Sequence, residues 1–122
     1  MSTPQSAILP EAEPFALYSI LKIKHNHAQV LAQLQALPAL VDEVNANQPG
    51  AELTLSIAFT KAFWQRFEAP MPEELIDFPV LGEGSTMAPS TDVDVLIHCH
   101  AKRHDLLFYV MRKCLTDIAE DV

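Results

Sequence analysis

The order in which two hydrophobic periodicities follow one another constrains the fold of this chain more than any other feature. Apolar residues at every second position predict a strand, whereas spacings of three and four predict a helix. Residues 53–60 alternate most clearly, with Leu55 and Ile57 separated by a serine. Similar alternation at residues 15–24 and 93–100 predicts two further strands. The first, with Phe15 and Leu21 on one face and Tyr18 on another apolar face, is expected to be covered on both sides for most of its length.

A helical spacing follows the first predicted strand. Asn26 is a favourable N-cap residue, and the apolar stripe behind it consists of Val30, Leu31, Leu34 and Leu37. Pro38 has no backbone N–H to donate, so it is expected to end or kink this helix. The stripe continues to Val44, and the turn-forming residues 45–50 close the segment.

The second helical stretch is predicted from about Arg103 to about Glu120, on an apolar spacing that includes Leu107 and Ile118. A short helical turn is expected at residues 61–67. Residues 69–90 contain four prolines and two glycines and predict a long loop. Loops of this length are uncommon unless they cover something or carry function.

The resulting order, strand–helix–strand–strand–helix, is typical of an α+β ferredoxin-like sandwich without its last strand. Both helices would cover one face of the sheet. The missing strand would flank the first strand, whose bare apolar edge would be free to pair, so a homo-oligomer is expected. The sequence therefore predicts an incomplete ferredoxin-like domain at residues 14–122 after a flexible lead-in at residues 1–13.

Charge and composition exclude several classes of protein. Sixteen acidic residues stand against eight basic ones, a formal charge of −8, whereas nucleic acid and anionic membranes require a basic surface. No apolar run approaches the ~20 residues that cross a bilayer, and no export signal is expected. Two cysteines without a Cys-x-x-Cys motif exclude a disulfide scaffold, and they favour a reducing, cytoplasmic setting.

The five histidines are candidate metal ligands. His25 and His27 are two residues apart, as are His98 and His100, and His104 follows. Side chains at such spacing point the same way on a strand and can share a metal. However, no Cys, Asp or Glu completes a recognisable ligand spacing. Partly solvated histidines without a metal are therefore the favoured interpretation.

The remaining polar candidates have structural interpretations. Cys99 and Cys114 fall on apolar faces and are expected to be buried rather than reactive. Asp94 is expected to form an ion pair with Lys22 or Lys24 across the sheet. A solvated loop surface is expected for the carboxylates Glu73, Glu74, Asp77 and Glu83. Core packing, rather than ligand stacking, is expected for the aromatic residues Phe59, Phe63, Trp64 and Phe67.

Three stretches together resemble the dye-decolourising (Dyp-type) haem peroxidase family. Residues 4–10, PQSAILP, are similar to its N-terminal signature. Residues 88–98, APSTDVDVLIH, resemble its third strand and the approach to it, and residues 103–108, RHDLLF, resemble the start of its second helix. The likeness runs through essentially the whole chain. It is greatest to bacterial cytoplasmic members described as melanin-biosynthesis relatives.

The resemblance implies the first of two ferredoxin-like halves of a dimeric α+β barrel-type protein. In the family, haem b lies in the second half, where an axial histidine holds it. An Asp in a Gly-x-x-Asp-Gly motif and an Arg act on peroxide. The glycines here are Gly50, Gly82 and Gly84, and no Asp-Gly dipeptide occurs. No catalytic, cofactor-binding or metal-binding residue is therefore carried over. The chain alone is expected to bind no haem and to be inactive.

The residues also allow a second class of function. A stand-alone, non-enzymatic ferredoxin-like module would dimerise through its sheet and bind a small apolar ligand. Its open-face patch would consist of Ala16, Tyr18, Ile20, Ala58 and Leu96. A coding region that continued past Val122 into a Gly-x-x-Asp-Gly segment would favour the peroxidase half instead.

Overall fold

A computed structural model describes residues 2–122. In chain order its elements are β1 (Phe15–Leu21), α1 (His27–Asn47), β2 (Thr54–Phe59), α2 (Lys61–Trp64), β3 (Leu81–Glu83), β4 (Thr86–Ala88), β5 (Val95–Ala101) and α3 (His104–Thr116). The main sheet has the order β1–β5–β2, and β5 pairs antiparallel with both neighbours. The predicted α+β ferredoxin-like class is confirmed, with β5 as the third predicted strand.

The core lies between this sheet and the two long helices. Leu34 of α1, Leu55 of β2, Ile97 of β5 and Leu107 of α3 are each at most 4% exposed. The alternation in the sequence thus assigned the inward face of β2 and β5 correctly. Beyond the end of α3, Ile118 is also fully buried, although the predicted helix to Glu120 ends at Thr116.

Pro38 lies inside α1, which runs unbroken from His27 to Asn47. Of the two outcomes predicted for Pro38, ending or kinking the helix, the first is wrong, and the second stays a prediction. Pro38 is exposed, whereas Leu34, Leu37 and Val41 on either side of it are buried against the sheet. Packing of this stripe outweighs the loss of one helical hydrogen bond, because most helix stability in proteins comes from tertiary contacts.

Asn26 precedes α1, but it does not cap the helix as predicted. Its backbone is left-handed, with φ 54°, and its side chain makes no capping hydrogen bond. Instead the Asn26 amide donates to the Asp121 carboxylate at 2.8 Å. Asp121 also accepts from the backbone N–H of Lys24 through its carbonyl oxygen, at 2.7 Å. These bonds join the β1–α1 junction to the segment that follows α3.

Within the described residues, only one of the two faces of β1 is covered. Leu21 is buried, but Tyr18 and Ile20 are 59% and 60% exposed. The expectation that β1 is covered on both faces is therefore wrong for this part of the chain. Phe15, expected on the covered face, is 43% exposed at the start of the strand, where its ring centroid lies 6.1 Å from that of His104.

The long loop contains a β-hairpin that the sequence did not predict. β3 and β4 pair antiparallel, and every residue of both strands is exposed. Gly82 has φ 101°, and a Cβ atom there would lie 2.1 Å from the Thr86 carbonyl oxygen. Glycine is required at this position because any side chain would collide with the opposite strand.

The N-terminal segment contacts the main sheet. The side chains of Gln5 and Ser6 hydrogen-bond to the outer edge of β2. Met1 lies outside the described residues. The boundary of the lead-in at residue 13 stays a prediction.

Candidate functional site

The face of the main sheet that lies away from the helices carries a regular grid of side chains. The strand register gives three rows across β1, β5 and β2, namely Ala16–His100–Thr54, Tyr18–His98–Ser56 and Ile20–Leu96–Ala58. We call these nine residues the open face. All five residues of the patch proposed from the sequence belong to it, and two histidines lie at its centre.

Tyr18 and the two histidines form a compact aromatic group. The Tyr18 ring stacks on His98 with centroids 4.2 Å apart and planes at 15°. The His98 and His100 ring centroids lie 4.1 Å apart, with the ring planes at 67°. Offset or edge-on contacts of this kind stabilise aromatic pairs. The stacking fixes the orientation of His98 on the open face.

Both imidazoles leave a nitrogen without a partner. His98 Nε2 and His100 Nδ1 are buried, yet neither makes a hydrogen bond within the described residues. Burial lowers the pKa of His98, and the neighbouring His100 lowers this pKa further. Buried polar atoms are normally satisfied by protein or water. The open face therefore offers two polar positions together with exposed apolar side chains, which suits a covering layer with polar groups of its own.

An acidic pair lies at the rim, beside His100. A hydrogen bond between the Glu13 and Glu52 carboxyls raises the pKa of Glu13 and lowers that of Glu52. Lys102 Nζ, 3.0 Å from Glu52 Oε1, also lowers the pKa of Glu52. Because the Glu52 side chain is 53% exposed and Glu13 is half-buried at the surface, this arrangement is not a buried acid–base site.

A separate cleft of about 660 Å³ lies between the end of β2 and the long loop. Its lining residues are Phe59, Thr60, Ala62, Leu75, Ile76, Asp77, Phe78, Pro89, Ser90, Thr91, Asp92 and Val93. The lining contains no His, Cys, Met or Tyr, the side chains that bind haem iron in proteins. Although the cleft is large, its residues do not fit a haem site.

The other candidate side chains lie apart from the open face. His25 Nε2 is 3.1 Å from Asp121 Oδ1, and His27 lies 6.2 Å from the Phe63 ring. Within residues 2–122 no group of three or more potential ligand residues could hold a metal ion. The absence of a physiological metal site stays a prediction.

The cysteines, the loop carboxylates and the aromatic cluster occupy the surroundings predicted for them. Cys99 and Cys114 are buried free thiols, and burial raises the pKa of each to about 11. Phe63 is buried, and its ring lies 5.3 Å from Phe59 and 5.2 Å from Phe67. The loop side chains Glu73, Glu74, Asp77 and Glu83 are exposed.

Asp94 differs from its predicted surroundings. The predicted ion pair with Lys22 is present at 3.8 Å, but Asp94 is only 3% exposed. Lys22 bonds more closely to the exposed Asp92, at 2.6 Å. The alternation of β5 placed Asp94 on a polar side, because alternation alone carries no information about the backbone groups nearby.

The chain matches the family model described as "Dyp-type peroxidase, N-terminal" over residues 5–122. It is 29% identical to a dye-decolorizing peroxidase of Brevibacterium linens over 98% of this chain and 33% of that protein.

No helix within residues 2–122 is long and apolar enough to cross a membrane.

Solved structures have the same fold. A dye-decolorizing protein from V. cholerae is 70% identical, with a TM-score of 0.93 over 97% of this chain and 40% of that chain. The encapsulated DyP-type peroxidase from Mycobacterium smegmatis is 26% identical, with a TM-score of 0.87 over 98% and 40% of the two chains. The chain thus spans between a third and two fifths of the length of these relatives.

Proposed function

The chain belongs to the Dyp-type peroxidase N-terminal family, and we propose that it serves as the structural half of a haem-dependent peroxidase. The whole protein would reduce hydrogen peroxide and oxidise organic donors. This half would supply packing surfaces and no catalytic residue.

The open face is the observation that carries this proposal. Tyr18 and Ile20 are exposed there beside two imidazole nitrogens without partners. The opposite face is already covered by α1 and α3, so the domain has one layer too few for a sheet that is apolar on both sides. The second half of the protein would provide that layer, with acceptors or donors for His98 and His100.

We place haem b in the rest of the protein. Structures of Rhodococcus jostii RHA1 DypB variants are in complex with heme, and this chain has the same fold as part of them at 22–23% identity. The large cleft described above has no side chain suited to iron, which supports a haem site outside residues 2–122. A cytoplasmic, homo-oligomeric protein is part of the same proposal, supported by two free buried thiols and by the apolar open face.

Peroxide-dependent oxidation of a dye tests the proposal. The purified chain is incubated with haemin and hydrogen peroxide, and the product of the same coding region at full length is assayed in parallel. We expect oxidation at the rate of free haemin, without a sharp Soret band, for the chain alone. The full-length product is expected to show both a Soret band and turnover.

Two variants of the full-length protein test whether the open face is the contact surface. Ile20→Lys should lower the melting temperature and the haem content because it places a charge between two halves, whereas Ser2→Lys should change neither. Turnover by the chain alone well above free haemin would contradict the proposal. Equal melting temperatures for both variants would show that the open face is not the contact surface.

A further inference from the structure

Residues Gln5–Ala7, which we call the strap, lie along the outer edge of β2. Gln5 Nε2 donates to the Ile57 carbonyl oxygen at 2.9 Å, and the Ile57 N–H donates back to Gln5 Oε1 at 2.7 Å. Ser6 Oγ accepts from the Leu55 N–H at 2.9 Å and lies 3.2 Å from the Leu55 carbonyl oxygen, to which it also donates. The Ala7 N–H reaches the same carbonyl at 3.2 Å.

These bonds identify the backbone groups of β2 that face away from β5. Leu55 and Ile57 each direct both an N–H and a C=O outward, as alternate residues of an antiparallel edge do. In a larger sheet another strand would bind these four groups. Here two side chains bind them, so the strap replaces a strand with a glutamine amide and a serine hydroxyl.

The sequence of β2 itself carries none of the features that oppose strand addition. Its sequence, TLSIAF, contains no charge, proline or glycine. Edge strands that must not pair with a strand of another molecule normally carry lysine, proline or a β-bulge. Leu55 and Ile57 therefore lie in an edge that is suited to pairing except where the strap covers it.

We propose that the outer edge of β2 is a strand-addition site for a second copy of this chain, which the strap holds closed. A two-fold axis beside Ser56 would pair Leu55 with Ile57 of the second copy, and the reverse. This register uses the same four backbone groups of each copy that the strap now binds. Two three-stranded sheets would become one six-stranded sheet.

The residue at the axis permits this approach. Ser56 would face Ser56 of the second copy as a non-hydrogen-bonded pair, the closer of the two antiparallel spacings at about 4.5 Å between Cα atoms. Serine is small enough for that spacing, and its hydroxyl can bond to its counterpart. A two-fold pairing also closes on itself, so it yields a dimer rather than a fibre.

The test removes the side chains of the strap. In the Gln5→Ala/Ser6→Ala variant of the chain we expect the amides of Leu55 and Ile57 to exchange with deuterium about tenfold faster at low concentration. Because the parent is itself expected to associate through the open face, sedimentation at high micromolar concentration is carried out in an Ile20→Lys background. There we expect the double variant to have twice the mass of the Ile20→Lys chain, with protection of the same two amides restored. The comparison is made at physiological salt or above, because a charge of −8 per copy opposes association.

Matched variants separate strap release from general damage. Ser2→Ala/Thr3→Ala alters the same segment at two exposed residues and should behave as the parent. The Ile97 amide in the central strand reports whether the fold is intact. If the double variant fails this check, Gln5→Glu is used, because its carboxylate still accepts from Ile57 N–H but cannot donate to the Ile57 carbonyl.

Three results would overturn the proposal. Unchanged exchange at Leu55 and Ile57 would show that the strap does not close the edge. Faster exchange without any increase in mass would show that the open edge recruits no second copy. Association that protects β1 amides instead of Leu55 and Ile57 would place the contact elsewhere.

Discussion

The buried carboxylate of Asp94 accepts a hydrogen bond at 2.8 Å from the backbone N–H of Ile23, 71 residues earlier in the chain. The backbone of Asp94 adds two bonds, donating to the Leu21 carbonyl at 2.9 Å and accepting from the Thr60 N–H at 3.0 Å. One residue before β5 thus ties together the chain segments that follow β1 and β2.

We expect Asp94→Ala to lower the free energy of unfolding by about 2 kcal/mol, because hydrogen bonds to charged groups contribute about 1.5–3 kcal/mol. Urea unfolding measures this change. Asp92→Ala removes the nearby exposed carboxylate and should cost less than about 1 kcal/mol, since its pair with Lys22 is solvated. An equal decrease in the free energy of unfolding for the two variants would contradict a stabilising role for the hydrogen bond to the Asp94 carboxylate.

Leu55→Asp and Val95→Asp should each prevent folding. Both residues are at most 4% exposed on the helix-covered face, where an unpaired carboxylate costs several kcal/mol, comparable to the stability of a domain. Thr54→Asp, which places the same charge on the open face, should be tolerated far better. Circular dichroism and melting temperature distinguish the three, and a cooperative melt of Val95→Asp near that of the parent would disprove the prediction.

The buried thiols predict a loss of stability in alkali. Cysteines in the unfolded chain ionise near pH 9, whereas Cys99 and Cys114 do so at about 11 in the folded chain. Unfolding therefore releases protons between these values, and the free energy of unfolding should fall as the pH rises from about 9 to 11. Urea titrations across this range measure the fall.

The Cys99→Ala/Cys114→Ala variant provides the comparison for the alkaline effect. Its stability at neutral pH will be lower because two small cavities are created. Its further loss between pH 9 and 11 should nevertheless be smaller than that of the parent. The same slope in both proteins would assign the alkaline effect to lysines or tyrosines instead.

The isolated chain should associate through the open face. Tyr18 and Ile20 are more than half exposed, and apolar patches of a few hundred Å² mark contact surfaces. Ile20→Lys should shift the mass measured by sedimentation toward 13.5 kDa, the mass of one chain. Lys24→Ala, an exposed change beyond the end of β1, serves as the control, and a parent that is monomeric at high micromolar concentration would refute the prediction.

Periodicity predicted the sheet and the two covering helices because each needs an apolar stripe for burial. Leu55, Ile97 and Leu107 could be assigned to the core on this ground alone. The resemblance supplied the family, and the patch around Tyr18 followed from the opposite set of alternating positions.

Long-range polar contacts could not be predicted in the same way. Gln5 and Ser6 have no signal that directs them to β2, about fifty residues away, because any polar pair in a lead-in looks alike. Asp94 and Asp121 are acidic residues that are buried where they accept hydrogen bonds from the β1–α1 junction. The effect of Pro38 depends on the packing of α1 against the sheet, which local helix propensity does not include.

The order of strands in the main sheet has a consequence for synthesis of the chain on the ribosome. β1 and β2 are made first, but they never pair with one another, because β5 lies between them. Until residue 101 has left the exit tunnel, neither strand has its partner, and their apolar residues stay available to chaperones. No pairing of the main sheet can therefore form until the central strand is available to its two neighbours, and the sheet assembles late in synthesis.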